Sequence, residues 1–325
     1  MEQLSRMLRV LMLIALVLPA GSYAIGAERS KITFGFSSIG AMGTGVWMAK
    51  EIGAFEKYGL DADVIYISSG PVVMQALIGG DLHVGVLASN ALIAAALNGA
   101  PVVAVGSIIN KAYHRLWVQP DINRIEDLRG KTLGVTRFGS VTDNLTQMFL
   151  RKFGLERQVQ VRQLGGIVEV GAAFQQRLIA GAVTNDLRIG NDVPVKILYK
   201  MIDLGIPYSM NMLVVSRDYL RRQPESVERI LKAYMEGIAA LHRDKEKTLK
   251  VISQYGRLND PKKLELHYQD SADYLEKIPR TEPEAVGTLL DFMGKKDTPT
   301  GSFVDNSIVD RLAREGFVEK LYKKR

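Results

Sequence analysis

The sequence predicts an α/β protein of two lobes, each a mostly parallel sheet flanked by helices, with a final third that is helical. Three observations carry this. Short apolar, β-branched runs, small polar turns and apolar residues at helical spacing follow one another three times between residues 31 and 97. The same pattern restarts at Lys131, and from Asp218 onward only helical spacing remains. A chain of 325 residues is longer than one small core needs and suits two lobes. Strands joined through helices pair in parallel with right-handed crossovers, which places ligands at the turns leaving the strand ends.

Taken in order, residues 31–37 alternate Ile32, Phe34 and Phe36 and predict a first strand. A small-residue turn over 38–45 follows, then a helix over 46–55 that stops at the glycines around 53–59. A second strand over 63–67 leads through Ser68-Ser-Gly-Pro71 to a helix over 72–78, Pro71 suiting a first helical position. The third strand, 83–87, ends in Ala88-Ser-Asn90 before a helix over 91–97, and 102–109 is the fourth strand. Residues 113–119 read as a strand and 125–129 as a short helix. The second set has strands at 131–135, 159–164, 182–184 and 195–199, with helices over 144–153 and 168–180. Residues 203–212 form a connection back, 214–216 a last strand, and helices run over 224–242, 246–255, 261–275, 283–293 and 304–314.

The turn from Gly134 to Asp143 is the most chemically suggestive stretch. Gly139 lets the chain bend, while Ser140, Thr142 and Asp143 stand at the mouth of the next helix. Unpaired backbone N–H groups and the positive end of the helix dipole suit an anion there. Arg137 adds a planar fork able to grip a carboxylate, sulfonate or phosphate.

Residues 1–24 predict a secretory signal peptide. Arg6 and Arg9 precede an apolar run over 10–18, and Ser22-Tyr-Ala24 supplies the small residues of a cleavage site after Ala24. Cysteine is absent, which excludes a thiolate metal site and a disulfide frame. Export without either points to a bacterial periplasm. The formal charge of +7, in an exported chain, points to small anions or an anionic surface rather than nucleic acid. The four histidines are scattered without metal-ligand spacing, and neither a Gly-x-Ser-x-Gly elbow nor a phosphate loop occurs. No cofactor, metal or catalytic set is expected.

Four stretches carry a resemblance: Gly53-Ala-Phe-Glu-Lys-Tyr-Gly-Leu60; Gln75-Ala-Leu-Ile-Gly-Gly-Asp-Leu82 with Gly85 and Ser89; Asp127-Leu-Arg-Gly-Lys-Thr-Leu-Gly-Val135 followed by Arg137-Phe-Gly-Ser140; and Gly205-Ile-Pro-Tyr208 with the helices after Pro224. Together they resemble the periplasmic solute-binding proteins of ABC importers in the nitrate, sulfonate and taurine group, near the thiamine-precursor-binding (NMT1/THI5-like) branch. The resemblance implies a type II periplasmic-binding fold, closing on one solute. Its lobes would be residues 25–110 with 208–325, and 111–207, with crossings near 109–113 and 205–211. It also implies a monomer that hands a small organic solute to a membrane permease, and Arg137 points to an anionic one. The ligand contacts it implies are Ser38, Thr44, Ser69 and Ser89 from one lobe, Arg137, Phe138, Gly139, Ser140 and Thr142 from the other, and Tyr208 at the second crossing. The stretch Ala182-Val-Thr-Asn-Asp-Leu-Arg188 departs from that group's pattern, so nothing carries over to Asn185 or Asp186. Two other functions share the fold. One is an enzyme on a small organic substrate, although pyrimidine synthases and porphobilinogen deaminase of this type need cysteines that this chain lacks. The other is a module that presents solute to a membrane sensor.

Overall fold

The computed structural model describes residues 29–67, 69–185, 189 and 194–323. The expected leader, Ser68, Asp186 and the last two basic residues lie outside the described residues.

The first lobe opens with β1 (Ser30–Phe36), helices α1 (Ala41–Glu51) and α2 (Ala54–Lys57), and β2 (Leu60–Tyr66). It continues through α3 (Gly70–Gly79), β3 (Val84–Ala88), α4 (Ser89–Leu97) and β4 (Val102–Ile109). The chain then crosses to a second sheet, made from β5 (Arg115–Val118), β6 (Thr132–Val135), β7 (Gln160–Gln163), β8 (Gly181–Thr184) and β9 (Lys196–Lys200). Helices α5 (Val141–Lys152) and α6 (Ile167–Gln175) connect its parallel strands. A second crossing returns to β10 (Asn211–Ser216), back in the first sheet. Seven helices end the chain: α7 (Arg217–Arg222), α8 (Pro224–Arg243), α9 (Lys245–Gly256), α10 (Pro261–Tyr274), α11 (Pro283–Phe292), α12 (Ser307–Arg314) and α13 (Phe317–Tyr322).

The strand orders are β2-β1-β3-β10-β4 and β7-β6-β8-β5-β9. Both sheets are mixed. In each, the reversed strand is the one that arrives directly from a crossing: β10 runs antiparallel to β3 and β4, and β5 to β8 and β9. The remaining pairs are parallel, with Phe34 of β1 beside both Val64 and Val84.

Several boundaries differ from the sequence expectation. Residues 38–45 are not all turn, because α1 begins at Ala41. The glycines within it serve packing: a Cβ on Gly45 would lie 2.5 Å from Ile238 and 2.7 Å from Tyr234, and one on Gly237 would lie 2.3 Å from the Gly45 carbonyl oxygen. Bare backbone on both helices therefore lets α1 and α8 approach closely. The helix expected over 168–180 ends at Gln175, where Arg177 takes a left-handed conformation at φ 57°. The last strand begins at Asn211 rather than Val214, and the helix expected over 304–314 begins at Ser307.

One hydrophobic core runs from the first sheet into the second lobe, taking in Phe34, Trp47 and Tyr234 as well as Leu116, Leu133 and Phe149. A smaller core in the second lobe, around Trp117, Phe174 and Ile179, includes Leu258 from beyond α9. A buried ion pair adds to this. The Arg115 guanidinium on β5 donates to both Asp270 oxygens on α10, at 2.8 and 2.5 Å. Burial pushes the Asp270 carboxyl up from its usual range, with the Arg115 bond and charge opposing that shift.

Candidate functional site

Helix starts gather between the lobes because each parallel strand ends there and hands the chain to a helix. They enclose a cavity of about 50 Å³. From the first lobe come Ser37 and Ser38 after β1, Met42 in the first turn of α1, Ser69 and Gly70 at α3, and Asn90 at α4. From the second come Thr136, Ser140 and Thr142 around the start of α5, Ile167 at the start of α6, and Thr184 and Asn185 at the end of β8. His114 and Asn211, on the two crossings, complete the wall. Among the described residues, hydroxyls, amides, the His114 imidazole and small apolar groups line it, with no carboxylate, ammonium or guanidinium.

The turn before α5 is built from its own side chains. The Ser140 hydroxyl caps the helix by accepting from Asp143 N at 3.4 Å, and the Asp143 carboxylate accepts from Gly139 N at 2.9 Å. Thr136 Oγ1 donates to Ser140 Oγ at 3.0 Å, and Thr136 N donates to Thr142 Oγ1 at 3.0 Å. Gly139 takes φ 76°, the left-handed region that glycine enters without a Cβ penalty.

Among the described residues, two hydrogen bonds cross the cleft. Asn90 Nδ2 donates to Gly139 O at 2.5 Å, and Ser38 Oγ donates to Asn185 Oδ1 at 3.2 Å. Asn185 Nδ2 in turn bonds the Tyr113 hydroxyl. Four polar atoms on cavity-lining residues are buried without a partner among the described residues: Ser69 Oγ, Asn90 Oδ1, His114 Nδ1 and Asn211 Oδ1. Burial and then the neighbouring Arg115 charge push the His114 imidazole down to about 3, so the ring is neutral.

The expected contacts divide accordingly. Ser38, Ser69, Ser140 and Thr142 line the cavity. Thr44 sits within α1, facing His267 and Ser271 at 3.1 and 3.0 Å. Ser89 donates to the Ser209 carbonyl oxygen. Tyr208 is fully buried with its hydroxyl toward Asn144, and burial raises its pKa. Arg137 is half-buried outside the cavity wall, and Phe138 and Gly139 are exposed beside it. Asn90, His114, Thr136 and Asn211 were not singled out as contacts. Their only sequence signal is position, at a strand-to-helix turn or a crossing. Phe36 and Ile39, which flank Ser37 and Ser38, and Val168, which follows Ile167, line a wider recess of about 490 Å³ with Tyr66, Tyr255 and Arg257.

The fold is shared by a ligand-binding component of an ABC-type import system from Staphylococcus aureus, which superposes with a TM-score of 0.73 at 13% identity, covering 87% of this chain and 98% of that one. The chain belongs to the NMT1/THI5 like family, whose match covers residues 42–248. A Brucella abortus relative described as a binding protein is 33% identical over 137 residues, 42% of this chain and 42% of that one, so the match spans less than half of either. The formylaminopyrimidine-binding protein of Halalkalibacterium halodurans is 22% identical over 274 residues, 81% of this chain and 76% of its own. Among solved structures, the alkanesulfonate-binding protein SsuA of Xanthomonas axonopodis pv. citri, bound to MOPS, superposes with a TM-score of 0.70 at 18% identity, covering 88% of this chain and 98% of that one.

Proposed function

We propose that this chain is the extracytoplasmic solute-binding protein of an ABC importer, not an enzyme. It takes one small organic solute bearing a sulfonate, carboxylate or similar anionic group between lobes formed by residues 25–110 with 208–325, and 111–207. The observation that carries this reading is the convergence of five helix starts, those of α1, α3, α4, α5 and α6, on a cavity whose described lining residues include no charged side chain. Each start carries roughly half a positive charge and free N–H groups, so together they favour an anion without a fixed cation. Arg137, just outside, adds to the same field. Each lobe alone offers few donors to a hydrated solute. Closure expels water and completes the bonds, so the solute stabilises the closed state that a membrane permease would read. Such a protein works as a monomer in the periplasm, with its leader removed after Ala24.

The absence of charge among the described wall residues favours a second reading, a neutral heterocycle held by Ser, Thr and Asn, as the name of the formylaminopyrimidine-binding relative suggests. Mass spectrometry of small molecules retained by protein purified from its own host separates the two, followed by calorimetry with each candidate. Retention of neutral heterocycles and no acidic solute would overturn the anionic reading. An intact mass that still includes the first 18 residues would overturn export.

A further inference from the structure

Asn90 touches both halves of the cleft. Its Nδ2 donates to Gly139 O on the opposite lobe. A carbonyl oxygen only accepts, so turning the amide over would set two acceptors against each other, and the bond fixes which way the side chain points. Asn90 Oδ1 is thereby left as a buried acceptor with no partner among the described residues, on a residue 2% exposed that lines the cavity. A buried acceptor left unpaired is unfavourable, and a wall that is otherwise hydroxyl-rich does not relieve it.

We propose that Asn90 couples solute recognition to lobe closure: its Oδ1 accepts an N–H or O–H from the solute while its Nδ2 clamps Gly139 O across the cleft. The inference rests on the cleft being the solute site, and it adds to the solute's chemistry. Besides an acceptor group for the helix starts, the solute carries a hydrogen-bond donor on the edge facing α4. Asn211 Oδ1 and Ser69 Oγ, also buried without a partner among the described residues on the same wall, can take a second donor. A bond to Oδ1 orients and polarises the amide, which strengthens the clamp on the other face. An acceptor-only solute would leave Oδ1 unsatisfied inside a closed cavity, and closure would be less favourable.

Two measurements test this. The chain has no cysteine, so Gln75→Cys on α3 and Glu169→Cys on α6 place one spin label on each lobe without background. Pulsed EPR on the solute-free protein should show a longer interlobe distance in Asn90→Asp, which faces Gly139 O with a second oxygen, and in Asn90→Ala, which has no donor. Circular dichroism establishes that both variants are folded. Calorimetry then compares two matched pairs of probes, ethanesulfonate with 2-aminoethanesulfonate and pyrimidine with 4-aminopyrimidine. In the wild-type protein the N–H-bearing member of at least one pair should bind about tenfold tighter, the effect of pairing one buried acceptor. In Asn90→Ala that preference should shrink to within about twofold, because no acceptor remains to be satisfied. Equal affinities within both pairs, or a preference kept in Asn90→Ala, overturn the donor requirement, and unchanged distances overturn the clamp. Binding of none of the four probes by the wild-type protein counts against the cleft as the solute site, and the proposal falls with it.

Discussion

Replacing Asp270 by Ala should be among the most destabilising single changes in this protein. Its carboxylate accepts two bonds from Arg115, and the two side chains are only 8% (Arg115) and 6% (Asp270) exposed. Lys200 and Asp273 also act on the Asp270 carboxyl, with opposite signs. Removing the carboxylate therefore leaves a guanidinium buried without compensation, a change that costs about 3–5 kcal/mol in comparable sites. Against a typical domain stability of roughly 5–15 kcal/mol, that is a large share. The pair also joins β5 of the second lobe to α10 of the C-terminal helices, so the loss should loosen the lobes as well as lower stability. Urea titration of wild type, Asp270→Ala and the double variant Arg115→Met/Asp270→Leu measures it. The double variant should recover most of the loss, because two well-packed apolar side chains need no partner. Glu246→Ala is the control: its partner Lys250 is 75% exposed, and stability should not change. A loss below about 1 kcal/mol in Asp270→Ala, the range of surface ion pairs, would refute the reasoning.

Further predictions concern titration, packing and the turn before α5. The His114 imidazole is depressed from 6.5 to about 3, so below 6.5 the unfolded chain takes up a proton that the folded protein refuses. The stability that this neutral ring contributes is complete above pH 6.5 and declines toward pH 3, by up to about 1.4 kcal/mol per pH unit. Urea stabilities of His114→Gln between pH 6.5 and 5 should fall less steeply, and an unchanged slope would reject the assignment. Gly237→Ala puts a methyl group into the Gly45 backbone and should cost about 1–3 kcal/mol or more, whereas a neutral melting temperature would show that α1 and α8 can part. Ser140→Ala removes the α5 cap and should lower stability by about 1 kcal/mol, with no change expected if water replaces the hydroxyl. Arg137→Ala should weaken anion binding by less than about tenfold, since the guanidinium stands outside the wall; a hundredfold loss would place it on the solute, as truncating a buried pair does.

The alternating pattern made β1 to β4 and their helices legible, because a strand that buries one face and a helix that buries one stripe each leave a period in the sequence. The glycines of α1 misled for a physical reason. Locally, Gly43-Thr-Gly45 reads as a turn; contact with α8, nearly two hundred residues later, gives Gly45 its role in a helix, while Gly43 makes room for the Trp47 ring. That same contact turns Thr44 toward His267 and away from the cavity. The site was legible as a set of turns and much less as side chains. Ser69 and Ser140 face inward, while Ser89 turns to Ser209 and its neighbour Asn90 lines the cleft. At a helix start one step along the chain rotates the side chain by about 100°, and the sequence does not record which way a start is aimed. Asn185 lies in the stretch where the family pattern broke, yet it bonds Ser38 across the cleft.

The place of β10 in the first sheet also orders the birth of the molecule. All five strands of the second sheet lie between Arg115 and Lys200, so that sheet is complete in the chain before β10 has been made. The first sheet cannot be. Its fourth position, between β3 and β4, stays vacant until Asn211–Ser216 arrives, although β1 to β4 come first from the ribosome. Until then β3 and β4 present apolar, unpaired edges to each other across the gap, and the long helix that packs on α1 does not yet exist. The half of the protein made first is thus finished last. The chain remains open there while it is being made, and the strand that closes the gap is the one that carries Asn211 into the cavity wall.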